Sequence, residues 1–167
     1  EPRALRDAQG RRGVLEQSLL ELGKFQMTQP DMPGAAVGTH GFAGSPGLHV
    51  VVDAGRAEGG AEGVIIAQGG RFGGWAVYVK EGCLKFAYNV LGIQEFTTGA
   101  TSPVPAGNHQ VRMEFAYDGG GLAKGGDVTL FHDGAEVGKG RVEATQPMVF
   151  SADETTDIGY ESGTTVS

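Results

Sequence analysis

The chain has 167 residues, with 13 basic and 20 acidic side chains, a formal net charge of −7 and 30 glycines. Its length suits one domain, and its negative charge disfavours nucleic acid and anionic lipid as partners, because both bind a basic face. Its one cysteine, Cys83, rules out an internal disulfide and a thiolate zinc cage, and it leaves the compartment open, cytoplasmic or exported.

The residues from 1 to 46 are predicted to form an N-terminal extension of helical and irregular structure. Leucines recur at helical spacing within residues 14–22, and Gly23 follows as a stop signal. The stretch from Gln26 to Pro46 is rich in glycine and proline, which is typical of a loop or an irregular edge strand. We therefore expect the folded β-domain to occupy residues 47–167.

From residue 48 onward, short β-branched and alternating runs replace the helical pattern. Strands are predicted at residues 48–53, 63–68, 75–80, 83–89, 109–117, 127–132 and 135–138. Asp133-Gly134 is the strongest hairpin signal, because both central residues of a type I′ turn need positive φ. Short strands at ~8–12-residue intervals, with no helices between them, predict an all-β antiparallel sandwich or jelly roll rather than a parallel α/β sheet.

Histidine and cysteine side chains form no recognisable catalytic or metal-binding motif. The histidines are His40, His49, His109 and His132. None stands at i, i+4 on a predicted helix or begins an H-E-x-x-H sequence, which favours a structural or surface role over metal ligation. Cys83 follows a turn glycine at the start of a strand, which favours a small buried hydrophobe over a nucleophile. We therefore predict no catalytic residue in this chain.

Glycine-rich and acidic segments offer two further kinds of site. The loops at 69–74 and 119–126 look superficially like phosphate cradles, but both lead into strands and lack G-K-[ST], which favours tight strand connections. Near the C-terminus, Asp153, Glu154 and Asp157 are candidate calcium ligands. Their spacing departs from D-x-D-x-D-G, which favours a solvated acidic turn.

Several stretches, taken together, match a known family. They are Ala61–Trp75 (AEGVIIAQGGRFGGW), 78–82, 88–92, 105–121 and 150–159. In order and spacing, this series resembles the C-terminal region of bacterial arylsulfatases of the type I sulfatase family, over roughly residues 61–167. That region of the family is similar to concanavalin-like and laminin-G-like sandwiches, which agrees with the strand pattern.

The resemblance implies that the parent protein hydrolyses sulfate esters. Such enzymes use a formylglycine made in a C/S-x-P-x-R motif and hold calcium in their catalytic domain. Neither Cys83, followed by Leu-Lys-Phe, nor Ser102, followed by Pro-Val-Pro, stands in that motif. We therefore expect no cofactor in this chain and no activity of the chain alone; calcium would belong to the parent catalytic domain.

The resemblance and the loop sequence together suggest an accessory domain that docks on a sulfatase catalytic domain in the same polypeptide. The docking or ligand surface is predicted at Arg71, Phe72, Trp75, Tyr88 and Asn89. Neighbouring glycines permit close backbone approach there, and the Arg71 guanidinium suits a sulfate or a partner carboxylate. An ordinary loop arginine is the alternative interpretation.

A second hypothesis is a carbohydrate-binding module of lectin-like fold. Its rings would be those of Trp75, Tyr78, Tyr88 and Tyr117, stacked on sugars, although their place in strand patterns favours core packing for most of them. No apolar run approaches the ~18 residues that span a bilayer, so we expect no membrane partner. Self-association into a homo-oligomer is left open.

Overall fold

A computed structural model describes residues 20–28, 47–56, 62–147, 156–159 and 164–167. The described residues form ten strands and no helix. The strands are β1 (Leu20–Thr28), β2 (Gly47–Arg56), β3 (Gly63–Gly70), β4 (Gly73–Lys80), β5 (Cys83–Val90), β6 (Gln94–Pro103), β7 (Gly107–Tyr117), β8 (Gly126–His132), β9 (Ala135–Val142) and β10 (Thr156–Ile158). In this part of the chain, accordingly, no helix has the length and apolar character that crossing a bilayer requires.

The strands build a sandwich of two five-stranded sheets. One sheet has the order β1-β2-β7-β8-β9 and the other the order β10-β3-β4-β5-β6. All neighbouring strands are antiparallel. Buried side chains from both sheets form one hydrophobic core between them. The predicted all-β antiparallel sandwich is confirmed.

Strand β7 shows how alternation in the sequence selects this arrangement. Val111, Met113 and Phe115 are buried in the core, because side chains two residues apart share one face of a strand. The intervening Arg112 lies on the outer face, where its guanidinium stacks 3.9 Å from the ring centre of Phe131. The same register repeats across the ladder to β8, so the core and the outer face are separated strand by strand.

Two hairpin turns confirm the turn chemistry expected from the sequence. Asp133 and Gly134 have φ angles of 48° and 81°, as the two central residues of a type I′ turn require. Glu81 and Gly82, between β4 and β5, repeat this geometry with φ angles of 54° and 75°. These turns fix the register of the β8–β9 and β4–β5 hairpins.

The N-terminal segment corrects the helix prediction in part. Residues 20–22 belong to β1, which pairs with the edge of β2, so the helix predicted over 14–22 is wrong there; residues 14–19 lie outside the described residues. Backbone pairing with the open edge of β2 outweighs the short leucine repeat. Gly23, the predicted stop, falls within a register shift between Leu22 and Phe25, so β1 is an irregular edge strand. Of the stretch predicted as loop or irregular edge strand, Gln26 to Pro46, residues 26–28 belong to β1 and residues 29–46 lie outside the described residues.

Because the strands are antiparallel, successive turns alternate between two ends of the sandwich. One end carries the turns at 71–72 and 91–93 and the loop at 118–125, and we call it the apolar end. The other carries the turns at 81–82, 104–106 and 133–134, and we call it the histidine end. A hydrogen bond of 2.9 Å from the Val104 N–H to the Gly82 carbonyl joins two of the turns at the histidine end.

Candidate functional site

The apolar end exposes three large apolar side chains on two adjoining turns. Phe72, in the β3–β4 turn, is 65% exposed, and Leu91 and Ile93, in the β5–β6 turn, are 48% and 84% exposed. The turns touch, because a Cβ atom placed on Gly92 would lie 2.9 Å from the Arg71 carbonyl oxygen and 3.8 Å from the Phe72 ring. We call Phe72, Leu91 and Ile93 the turn patch. Arg71 is exposed at its edge.

The glycines next to the patch are required by packing rather than by an anion. Gly73 has a φ of 135°, and a Cβ atom there would overlap the Gln146 side-chain oxygen. A Cβ on Gly69, whose φ is 79°, would overlap the Gly73 carbonyl oxygen. The stretch at 69–74 therefore makes a tight strand connection, as predicted, and its glycines serve backbone close approach.

Two of the five predicted surface residues lie in the core. Trp75 and Tyr88 are fully buried. The Trp75 indole N–H donates to the Gln68 side-chain oxygen over 3.0 Å, and the Tyr88 hydroxyl accepts from the Gln146 backbone N–H over 3.0 Å. Burial raises the pKa of the Tyr88 hydroxyl well above its ordinary value. Both rings hold the sandwich together and present no face to a ligand.

Asn89 stabilises the turn that carries Leu91 and Ile93 through two side-chain hydrogen bonds. Its side-chain N–H donates to the Val166 carbonyl over 2.9 Å, and its side-chain oxygen accepts from the Gly92 N–H over 2.8 Å. The Arg71 N–H donates to the Thr164 hydroxyl over 3.1 Å. Of the predicted surface, Arg71 and Phe72 are therefore exposed, and Asn89 is a buried positioning residue.

A groove of about 370 Å³ lies on the outer face of the β10-β3-β4-β5-β6 sheet. Its lining includes Glu62, Val64, Tyr78, Lys80, Thr165 and Ser167. The Tyr78 side chain is half-buried and packs against a small apolar cluster, and its accessible part lines the groove beside carboxylate, ammonium and hydroxyl groups. Of the predicted sugar-stacking rings, Tyr78 is the one that lines this groove. Tyr117 instead stabilises the β7–β8 loop, because its hydroxyl donates a hydrogen bond to the Gly121 carbonyl over 2.6 Å.

At the histidine end, three ligand-type side chains meet. His109 Nδ1 lies 2.8 Å from Asp133 Oδ2, and His132 Nε2 lies 3.4 Å from the same oxygen. The hydrogen bond to His109 is the largest cause that holds the pKa of Asp133 below its ordinary value, and the bond from the Gln110 N–H is the next. Sequence reasoning assigned both histidines structural or surface roles, because no local spacing connects residues on separate strands.

Of the acidic candidates, only Asp157 lies among the described residues. Asp153 and Glu154 lie outside the described residues, and Asp157 is buried in β10 opposite Ala67. Cys83 is a half-buried free thiol at the start of β5. The calcium site therefore stays a prediction.

No family model, curated protein or solved structure matches this chain. The similarity to arylsulfatase C-terminal regions accordingly stays a prediction from the residues that carry it. The described residues present three candidate recognition features: the turn patch with Arg71, the Tyr78 groove and the histidine end.

Proposed function

We propose that this chain is a non-catalytic β-sandwich domain that docks, through the turn patch and Arg71, on the catalytic domain of an arylsulfatase-like enzyme in the same polypeptide. The observation that carries the proposal is the exposure of Phe72, Leu91 and Ile93 on two touching turns. Grouped exposed apolar side chains with a polar rim are characteristic of protein interaction sites. A partner that covers these side chains removes apolar surface from water, which is favourable by about 25 cal/mol of free energy per Å².

The backbone under the patch is already ordered, which favours binding. The β3–β4 turn closes between the paired residues Gly70 and Gly73, and Asn89 holds the β5–β6 turn through Gly92. A preorganised surface loses little conformational entropy when it docks. The exposed Arg71 adds a charged, directional donor at the edge of the patch, suited to a carboxylate of the partner.

The choice of a sulfatase partner rests on the sequence resemblance. Two stretches that carry it, 61–75 and 88–92, contain Arg71, Phe72 and Leu91 of the proposed surface. The chain itself lacks a C/S-x-P-x-R motif, so the reactive centre would belong to the partner domain. An accessory role for this chain follows from both observations.

The test uses the whole polypeptide encoded with this chain. We expect its coding frame to contain C/S-x-P-x-R in a separate domain, and Phe72→Asp with Ile93→Asp to lower aryl sulfate hydrolysis and speed proteolysis between the domains. Leu122→Asp is the matched control, because Leu122 is 62% exposed at the same end of the sandwich but lies in the β7–β8 loop, outside the two touching turns. A frame without the motif, or a patch variant that behaves like the control, would contradict the proposal.

The Tyr78 groove supports a second candidate function, carbohydrate binding. An accessible aromatic ring bordered by Glu62, Lys80 and the hydroxyl of Thr165 has the apolar and polar groups that a sugar ring needs. A glycan array with and without calcium tests it, followed by calorimetry of any hit. Tyr78→Ala should abolish such binding, whereas Phe72→Ala should leave it intact; an array without any hit would remove this candidate.

A further inference from the structure

The β7–β8 ladder places two imidazoles side by side at the histidine end. His132 is the last residue of β8 and pairs with Val111 of β7, and His109 precedes Val111 by two residues. Residues two apart share a face, so both histidines lie on the inner face of the sheet, where the core ends. Their ring centres are 4.6 Å apart. Asp133 follows directly in the type I′ turn, which brings its carboxylate to the same place.

The three side chains, His109, His132 and Asp133, bring ligand-type atoms close together. One ligand atom from each residue lies within 4.8 Å of the other two, and the contacts to Asp133 Oδ2 are made by His109 Nδ1 and His132 Nε2. Asp133 Oδ2 lies between the two nitrogens, at 2.8 Å and 3.4 Å. His132 Nε2 is buried and makes no hydrogen bond within the described part of the chain.

The remaining polar atoms of His109 and Asp133 are held by the backbone. His109 Nε2 lies 3.3 Å from the Ala106 carbonyl, which can only accept, so Nε2 is the donor there. Asp133 Oδ1 accepts from the Gln110 N–H over 2.8 Å. His109 Nδ1 and the Asp133 carboxylate share a hydrogen bond of 2.8 Å, and a metal ion would take the place of the shared proton and bind the nitrogen lone pair. Metal-bound histidines characteristically donate their other N–H in this manner.

We propose that His109 Nδ1, His132 Nε2 and Asp133 Oδ2 bind a divalent first-row transition metal ion, with Zn²⁺ as the best match. Zinc bonds to nitrogen and oxygen of about 2.0–2.2 Å place tetrahedral ligand atoms about 3.3–3.6 Å apart. The 3.4 Å contact of His132 with Asp133 falls in this range, and the 2.8 Å contact of His109 would lengthen when a metal ion replaces the hydrogen bond. Two imidazole nitrogens and one carboxylate suit Zn²⁺, Cu²⁺ or Ni²⁺, whereas Ca²⁺ requires oxygen ligands. The fourth position is left to water or to an external ligand.

The binding test is a titration of the metal-free chain with ZnCl₂ alone, read by calorimetry and by equilibrium dialysis. We expect one Zn²⁺ per chain, a melting temperature that rises with zinc concentration, and no competition from excess Ca²⁺. His109→Gln and His132→Gln should each weaken binding by more than about 10-fold. His49→Gln is the control, because the backbone of His49 pairs with Glu114, which lies five residues along β7 from His109.

Asp133→Asn separates ligation from folding. Asparagine tolerates the positive φ of 48° at this position and keeps an oxygen for the Gln110 N–H, but it lacks the carboxylate charge. We expect the variant to fold normally by circular dichroism and to bind zinc more than about 10-fold more weakly. Nitrogen-15 NMR should show zinc-dependent shifts at His109 Nδ1 and His132 Nε2. Absent one-to-one binding, equal weakening by His49→Gln, or wild-type affinity in Asp133→Asn would each overturn the proposal.

Discussion

The apolar end and the histidine end are built by the same two sheets, but they present different chemistry. At the apolar end, the turns expose Phe72, Leu91 and Ile93 above a support of buried side chains such as Asn89. At the histidine end, strand register brings His109 and His132 together beside the turn. We propose a large partner for the first arrangement and a small cation for the second. One scaffold can therefore carry two recognition sites whose determinants do not overlap.

The largest expected difference between the ends concerns their positive-φ glycines. Gly73→Ala, at the apolar end, should lower the free energy of unfolding by roughly 2–4 kcal/mol, because backbone strain adds to overlap with Gln146. Gly134→Ala, at the histidine end, should lower it by only about 1–2 kcal/mol, because its φ of 81° strains alanine but open space surrounds the site. Urea unfolding measures both, and equal losses would show that overlap at Gly73 is relieved.

A smaller effect is expected from the hydroxyl that joins β5 to the segment after β9. Tyr88→Phe leaves the buried Gln146 N–H without this acceptor and should lower the free energy of unfolding by about 1–3 kcal/mol. Tyr117→Phe is the control, because its hydroxyl serves an exposed loop through Lys124 and Gly121. Chemical denaturation of both variants decides the point, and a Tyr88→Phe protein as stable as its control would refute it.

Sequence pattern was sufficient for the strands that alternate or bury both faces. β7 alternates Val111, Met113 and Phe115 with polar residues, and β8 and β9 flank a dipeptide that specifies its own turn. β6 was not among the predicted strands, because most of its residues are polar or exposed and its pairing with β5 defines it. The leucines at the N-terminus carried a helical period that β-pairing at 20–22 overrode.

The candidate sites depended more strongly on tertiary register. The glycines around Arg71 and Phe72 were enough to predict a surface there. Leu91 and Ile93 become part of that surface only because their turn contacts the neighbouring turn. His109 and Asp133 are connected through a ladder whose register is set across a long glycine-rich loop. Loop length does not fix register in such a connection, so local spacing rules could not reveal the cluster.

Acid should weaken one carboxylate hydrogen bond at each end of the sandwich. The hydrogen bond from Arg141 lowers the pKa of Asp118 at the apolar end, and that from His109 lowers the pKa of Asp133 at the histidine end. A lowered folded-state pKa stabilises the fold above the unfolded value and loses this contribution as pH falls through the folded value. Asp118→Asn and Asp133→Asn should therefore each flatten the fall in melting temperature below about pH 4. Thermal unfolding at a series of pH values in EDTA measures this. An unchanged fall in melting temperature at low pH in both variants would contradict the prediction.

The smallest expected effect is that of Phe72→Asp on the stability of the chain alone. Because the Phe72 side chain is 65% exposed, its replacement should change the free energy of unfolding by no more than about 0.5 kcal/mol. In the whole polypeptide, the same substitution combined with Ile93→Asp is expected to lower aryl sulfate hydrolysis and speed proteolysis between the domains. A small effect on the chain alone together with a large effect on the whole polypeptide would distinguish a docking surface from a side chain packed within this chain. Urea midpoints of Phe72→Asp and Leu122→Asp give the measurement. A loss well above 1 kcal/mol for Phe72→Asp alone would mean that its ring is packed within this chain, and the turn patch would then not be available to a partner.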